Sequence, residues 1–489
     1  MILALMFVFV FQARVCASEP ASLLEAGDTA LRDDLRWLND RGVIHLSTSS
    51  WPLSYQAVRT AIINAHTTTK DPYDIRLLKT LQKKLELPYS APVSGRLSAG
   101  YTSQAMPLGG FTQEQQQESH QRLSLTAAGE SVVGTLALNH LTNPVTDKQS
   151  SGNLAGSYLA TSFAGQIIYG GQLNHWWGPG TDGSLQWSNA ATPLWGVGLR
   201  RASEQAPDNR FLSLIGPWSY ELFLGQLSHD TSAPGVRMFG ARVQIRPLKD
   251  LEIGVSRMFE WGGRGANDQL ADFANSLFGN GNSDANGGAV SNEVAGVDVQ
   301  YTTRIGGNPL TFYGQVIGED EAGKLPYRLS SLIGGRYQAR IAGVRLVSVV
   351  EAADTQSDRW FGLHEGTSRV TYRHDTFYRD GFYHDGMPIG YFSGGDSTST
   401  AISLVCIPKE DADANRYRLR YVNASLNRSG QVINQENPQS DQVSQIEFGV
   451  ASQSEWMSFP VEWSIGVQAR HSQVHGNDVA STVQIAVSF

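Results

Sequence analysis

The sequence predicts an all-β transmembrane antiparallel barrel of about 18 strands, preceded by a small N-terminal α-helical bundle. Three observations predict it. A short apolar leader is followed by no other run long enough for a membrane helix, the hydrophobic period switches from helical to two at Val93, and the alternation then continues to the last residue, Phe489.

Met1 to Phe11 are almost wholly apolar, and Val15 and Ala17 are the small residues that a signal peptidase reads, so residues 1–17 are expected to be a signal peptide cut after Ala17. No Lys or Arg precedes the apolar run, a departure that a misplaced start codon would explain. Arg14 and Val15 before Cys16 make a poor lipobox. Cleavage after Ala17 leaves Cys406 as the only cysteine and excludes a disulfide within the chain.

Residues 18–92 carry three helical patterns and form the expected helical bundle, a unit apart from the barrel. The first spans Leu23 to Arg41, with Leu31, Leu35 and Leu38 on one face and Gly42 as the stop. The second runs from Leu53 to Ala65 with Val58, Ile62 and Ala65 at helical spacing. In the third, Asp71 can cap, Pro72 fits the first turn, Asp74 lies where a capping-box acid would, and Pro88 ends a stripe of Ile75, Leu78, Leu81 and Leu85. Simple helix-on-helix packing accounts for all three stripes.

Residues 93–489 read as the outer-membrane barrel. Val461, Trp463, Ile465, Val467 and Ala469 face one way while Glu462, Ser464, Gln468 and Arg470 face the other. Val483, Ile485, Val487 and Phe489 repeat the pattern against Thr482, Gln484 and Ser488. A closing strand that ends on an aromatic resembles the sorting signal read by the barrel assembly machinery, which makes that machinery and outer-membrane lipid expected partners. Counting turn-bounded segments gives about 18 to 20 strands, and closure in hydrocarbon requires an even number. Arg416, Arg418 and Arg420 share one side of a strand, as do Arg242, Gln244 and Arg246. Because a charge facing lipid costs about 2 to 4 kcal/mol at the midplane, these rows face the lumen. There they either pair with Asp and Glu to stiffen the barrel or line a path for anionic sugars.

The net charge of -8 argues against nucleic acid as a partner. Mean hydropathy of -0.25 fits a barrel wall, where only alternate residues are apolar.

Four stretches resemble the capsule assembly Wzi family. They are Trp176-Trp177-Gly178-Pro179-Gly180 with Ser184-Leu185, Ser188-Asn189-Ala190 and Pro193; Phe259-Glu260-Trp261-Gly262-Gly263 with Asp272-Phe273, Asn292 to Gly296 and Asp298; Tyr313-Gly314-Gln315 with Gly318 to Gly323 and Leu325-Pro326; and Tyr378 to Asp396, with Gly381, Tyr383, Gly386, Ile389-Gly390 and Gly394-Gly395. Ala191 and Thr192 depart from the pattern where a second Asn and a basic residue are often seen. The matches run in order from about residue 170 to 400, and the three N-terminal helices fit the same layout. The resemblance implies an outer-membrane, lectin-like barrel, its periplasmic end closed by the small N-terminal α-helical bundle, that binds capsular or extracellular polysaccharide and keeps it at the cell surface.

Aromatic faces stack on sugar rings while amides and charged groups take hydroxyls and carboxylates. Asn174, His175, Trp176, Trp177, Trp187 and Asn189 offer that mixture in one Gly-rich loop, and Tyr378, Tyr383, Tyr391 and Asp396 offer a second set. The alternatives are an inward-folded rigid plug for the first set and an interfacial aromatic girdle for the tyrosines. Both pairs of readings stay open in the sequence.

No catalytic residue, metal or cofactor is expected. His374-Asp375 and His384-Asp385 are suggestive pairs, yet neighbours on a strand point to opposite faces. No G-x-S-x-G, H-E-x-x-H or P-loop pattern occurs, and Gly279 to Asn292 lacks calcium-loop spacing and reads as a surface loop. A sugar-conducting porin is the main alternative and a barrel-embedded hydrolase the lesser one.

Overall fold

A computed structural model describes residues 21–489 except 90, 107, 113–116, 207–211, 228–232, 266–268, 278–290, 323–324, 358–368, 374–377, 409–414, 429–439 and 458. The expected signal peptide, His374-Asp375 and nearly all of the loop before Asn292 lie outside the described residues.

Alternation in the sequence becomes a closed wall. Strands from Val93–Thr102 to Gly476–Ser488 pair antiparallel in chain order, and Thr482↔Thr102 through Ser488↔Arg96 seal the seam. Gly152–Asn153 and Tyr158–Phe163 both pair with Val132–Pro144, so they are two pieces of one broken strand and the wall has 18 strands. The terminal residue completes the closure, because Phe489 N–H donates to Gly95 O at 2.8 Å and Gly95 N–H donates to Phe489 O at 2.7 Å.

Outward parity is mainly apolar: Leu97, Val197, Ile333, Phe448 and Val483 are each at least half exposed, while inward neighbours such as Arg200, Arg242 and Glu351 are buried. A continuous apolar belt of this kind is stable only against lipid. Connections such as Leu248–Leu251, Ile305–Asn308 and Ile341–Val344 are tight at one end, where both the first strand begins and the last ends. Long connections, residues 172–194 and 355–397, sit at the other end. Short turns mark the periplasmic rim of a barrel and long loops the outer one.

The N-terminal helices enter from the short-turn end. Helix α1 is Thr29–Asp40, α2 is Tyr55–His66 and α3 is Pro72–Glu86. Asp71 caps α3 through the Tyr73 N–H at 2.9 Å, as its sequence predicts. Three expectations need correction. Helix α1 starts at Thr29 rather than Leu23, because Leu23–Leu24 pairs with Leu53–Ser54 as a small antiparallel bridge and Asp28 takes the cap. The same bridge delays α2 to Tyr55, where Ser54 caps. Asp74 makes no capping box; it accepts from Trp37 Nε1 at 3.0 Å and Arg41 Nε at 3.1 Å, tying α3 to α1.

Packing in the bundle is also more than helix on helix. Leu31, Leu35, Trp37 and Leu38 of α1 join Val58, Ile62, Leu77, Leu78 and Leu81 in one core. The opposite face of α1 buries Arg32, Asp34, Arg36 and Asp40 inside the barrel. Buried charge is tolerated only where it has partners: the wall supplies them to the two aspartates, and backbone carbonyls of residues 179–181 supply them to the two arginines.

Candidate functional site

Residues 172–194 leave the outer rim and fold down into the lumen, with every backbone polar group needing a partner there. Glu351, from the strand Val344–Asp354, accepts from the backbone N–H groups of Thr181 (2.7 Å), Asp182 (3.1 Å) and Gly183 (3.0 Å). Tyr313 Oη donates to the same carboxylate at 2.8 Å. Gln315 accepts from Leu185 N–H and donates to Trp177 O, both at 2.8 Å. From below, Arg36 donates to Pro179 O and Gly180 O at 3.0 Å each, and Arg32 donates to Thr181 O at 3.1 Å. The plug helix and the descending loop therefore hold each other. Burial, and then the neighbouring Arg336, pull the Arg36 guanidinium down to about 10, which leaves it charged at neutral pH.

Of the two readings the sequence left open for this loop, its aromatics take the geometry of the inward-folded plug. Trp176 and Trp177 are fully covered, and His175 and Trp187 nearly so. Trp176 lies edge-on to Phe111, which is edge-on to Trp51 of the helical core. The Trp176-Trp177 pair is hydrogen-bonded to Ser50–Trp51, so the loop continues the bundle. Trp187 stacks on His175 at 4.1 Å between centroids, and Trp177 Nε1 donates to Glu221 at 3.1 Å. A Cβ at Gly240 would come within 2.9 Å of the Trp177 ring, so glycine there makes the seat. A ring with both faces covered has none left for a sugar.

The outer loop set is likewise internal. Tyr378, Tyr383, Tyr391 and Asp396 are all buried, so they neither face an outer ligand nor join an interfacial girdle. Tyr378 Oη donates to Gly262 O at 3.0 Å, Tyr391 Oη pairs with Ser399 Oγ at 2.7 Å, and Asp396 accepts from Gln356 Nε2 at 2.8 Å. Tyr383 packs in the same apolar cluster as Leu185 and Ile389. Ser188 N–H donates to Ile389 O at 2.7 Å, which lays this loop on top of residues 172–194.

The four lumen arginines are ion-paired. Arg242 meets Asp298 at 2.6 Å, Arg416 meets Asp34 at 2.6 Å, Arg418 meets Asp33 at 2.9 Å, and Arg420 meets both Asp182 and Glu447 at 2.6 Å. Arg345 and Arg336 likewise hold Asp34 (2.6 Å) and Asp40 (2.9 Å) of α1. Burial works against the Asp34 carboxylate, but Arg416 and Arg345 outweigh it and hold its pKa below the usual range. Of the two arrangements the sequence left open, the arginines adopt the pairs that fill and stiffen the barrel.

Among the described residues, one side of the lumen is not filled. A half-enclosed cavity of about 600 Å³ lies between α1, α3 and the wall on both sides of the seam. Asn174 and Asn189 from the descending loop line it, so two of the six residues singled out there do face open space. Gln484, read in the sequence as facing away from the apolar side of its strand, lines it too. Lys84, Arg96, Arg122 and Asn139 went unread: Lys84 sits on α3, and for the other three only inward parity on their strands could have signalled them. Burial opposes ionisation of Asp28, yet Lys84 and the cap to Leu31 hold it at about 2, and Lys84 is raised in turn. Glu462 bridges Lys84 and Arg96, at 3.3 and 2.5 Å. The outer His384 is buried beside Asp385 at 3.7 Å, and burial lowers its pKa, with Asp385 opposing.

Comparison with known proteins matches residues 91–478 to the family model described as capsule assembly protein Wzi. A 55.8 kDa protein from the cps region of Klebsiella pneumoniae is 32% identical over 435 residues, which are 88% of this chain and 82% of that one. Among solved structures, the Escherichia coli protein Wzi, an outer-membrane carbohydrate-binding β-barrel involved in group 1 capsule assembly, superposes with a TM-score of 0.83 at 30% identity. That likeness covers 96% of this chain and 99% of the E. coli chain.

Proposed function

The chain belongs to the capsule assembly protein Wzi family, and from that premise we propose that it is an outer-membrane, lectin-like barrel that binds capsular or extracellular polysaccharide and holds it at the cell surface without catalysis. The observation that carries this reading is the likeness, over nearly the whole of both chains, to a barrel that binds carbohydrate and takes part in capsule assembly. The lipid-facing belt and the paired lumen support it, since a wall built for membrane encloses a plug rather than a wide aqueous path. Outer-membrane lipid is the solvent of the belt. The barrel assembly machinery is the partner expected to read the closing strand that ends at Phe489.

Against a porin, α1 is tied to four wall arginines and to the descending loop, so the lumen's middle is protein. Against a hydrolase, the suggestive His384 is buried in a loop that serves as packing. Removing the gene from an encapsulated host tests the reading. Polymer is expected to be made and exported but recovered in the medium, and wild-type protein should return it to the cells. Unchanged cell-bound polymer in the deletion strain would overturn it.

A further inference from the structure

We propose that the lumenal cavity between the plug and the seam of the barrel binds a short neutral stretch of the polysaccharide, two or three sugar rings long. The inference rests on the carbohydrate-binding reading and gives it a place. A volume of about 600 Å³ falls in the range of pockets that take small organic molecules, roughly 300 to 1,000 Å³. The cavity reaches from Gln117 and Gln149 near the outer rim to Lys84 and Glu462 near the inner one. Its outer end therefore lies where exported polymer would meet the barrel.

The chemistry of the walls selects the class of occupant. Asn139, Asn153, Asn174, Asn189, Gln117 and Gln484 place amides on several sides. Each amide carries both an acceptor and donors, the mixture that sugar hydroxyls demand, although Asn139, Asn153, Asn189 and Gln484 already use one end within the protein. The cations in the lining are already matched: Arg122 by Glu25 at 2.8 Å, Lys84 by Asp28 at 2.8 Å, Arg96 by Glu462 at 2.5 Å, and Arg416 by Asp34 at 2.6 Å. A uronate entering here would have to displace a resident carboxylate, whereas a neutral ring would not. Two lining side chains also keep unmet capacity. Asn174 Oδ1 is an acceptor and Arg416 Nη1 a donor, both buried and, among the described residues, neither bonded to another protein group, although native buried polar atoms are as a rule satisfied. Asn174 is 8% exposed and Arg416 faces the same space.

The test uses full-length detergent-purified protein and calorimetric titration with two probes, a neutral trisaccharide and a uronate-containing trisaccharide, both released from the host's purified capsule by partial hydrolysis. Two variants probe the cavity. Ser98→Trp fills it from the wall, and Asn174→Leu removes the unpaired acceptor while keeping the branching at Cγ. The neutral probe should bind the wild type and bind each variant at least tenfold more weakly, while the barrel stays heat-modifiable. Should the Trp variant fail to fold, Asn174→Leu decides alone. Wild-type affinity in the folded variants, or preference for the uronate probe, would overturn the assignment while leaving surface binding of whole polymer intact. Failure of the wild-type protein to bind either probe, with whole polymer still bound, would also overturn the cavity. Failure to bind whole polymer as well would bring down the broader carbohydrate reading.

Discussion

At the scale of single residues, the side chains with the strongest structural consequence are carboxylates that hold backbone. Glu351 accepts from three successive loop N–H groups and from Tyr313. Leaving a buried donor unpaired costs about 1 to 3 kcal/mol. Glu351→Ala should therefore destabilise the folded barrel by at least about 2 kcal/mol, and Glu351→Gln by less, because an amide keeps one acceptor. The temperature at which the heat-modifiable band shifts on electrophoresis measures both. Glu204, in the short-turn rim loop, accepts from Ser47 N–H at 2.8 Å, and burial together with the nearby Glu252 pushes it up to about 7. Its folded value lies above the unfolded one of about 4.3, so the folded state holds the proton more tightly. Stability contributed there is complete below about pH 4 and lost as pH rises to about 7. Glu204→Gln should flatten the difference in unfolding midpoint between pH 5 and pH 8 relative to wild type; an unchanged difference would place that pH dependence elsewhere. The aromatic pair shows what the sequence could not settle. Trp176-Trp177 has the composition of a sugar platform and of a packed plug alike, and only its pairing with Ser50–Trp51, more than a hundred positions away, decides for packing.

At the scale of elements, the sequence was most legible where one local rule suffices. Asp71-Pro72 fixes the start of α3, and two-residue alternation fixes the strand that ends at Ser488. It was least legible where distant chain competes with the local rule. The Leu23–Leu24 bridge takes residues from the expected first helix, and Asp74 leaves its own helix end for Trp37 and Arg41. Helix α1 carries the plug's connection to the wall through Asp33, Asp34 and Asp40. Removing one partner of a buried pair costs about 3 to 5 kcal/mol because the other charge stays buried. The triple change Asp33→Asn, Asp34→Asn and Asp40→Asn should loosen α1 and give planar-bilayer conductance well above that of wild type. A variant as silent as wild type would show that the loop at 172–194 blocks the lumen by itself. The closing strand makes a separate prediction. Phe489 completes the seam against Gly95, so deleting it should lower the outer-membrane yield of folded protein. Wild-type yield would count against a sorting role.

At the scale of the whole molecule, an even-stranded wall with an apolar belt supplies the membrane anchor, and the two inward-folded segments convert what would be a pore into a filled support. The paired charges that tie α1 to the wall close the middle and, among the described residues, leave one amide-lined side open. Intact mature protein should accordingly pass little current in planar bilayers, and large stable pores would favour the porin. The most direct test of the central claim is equilibrium binding of purified capsular polysaccharide to the protein held in lipid nanodiscs, with an open porin in identical discs as reference. Saturable binding to this protein, absent from the porin discs, is the predicted result; equal, non-saturating signals from both would contradict it.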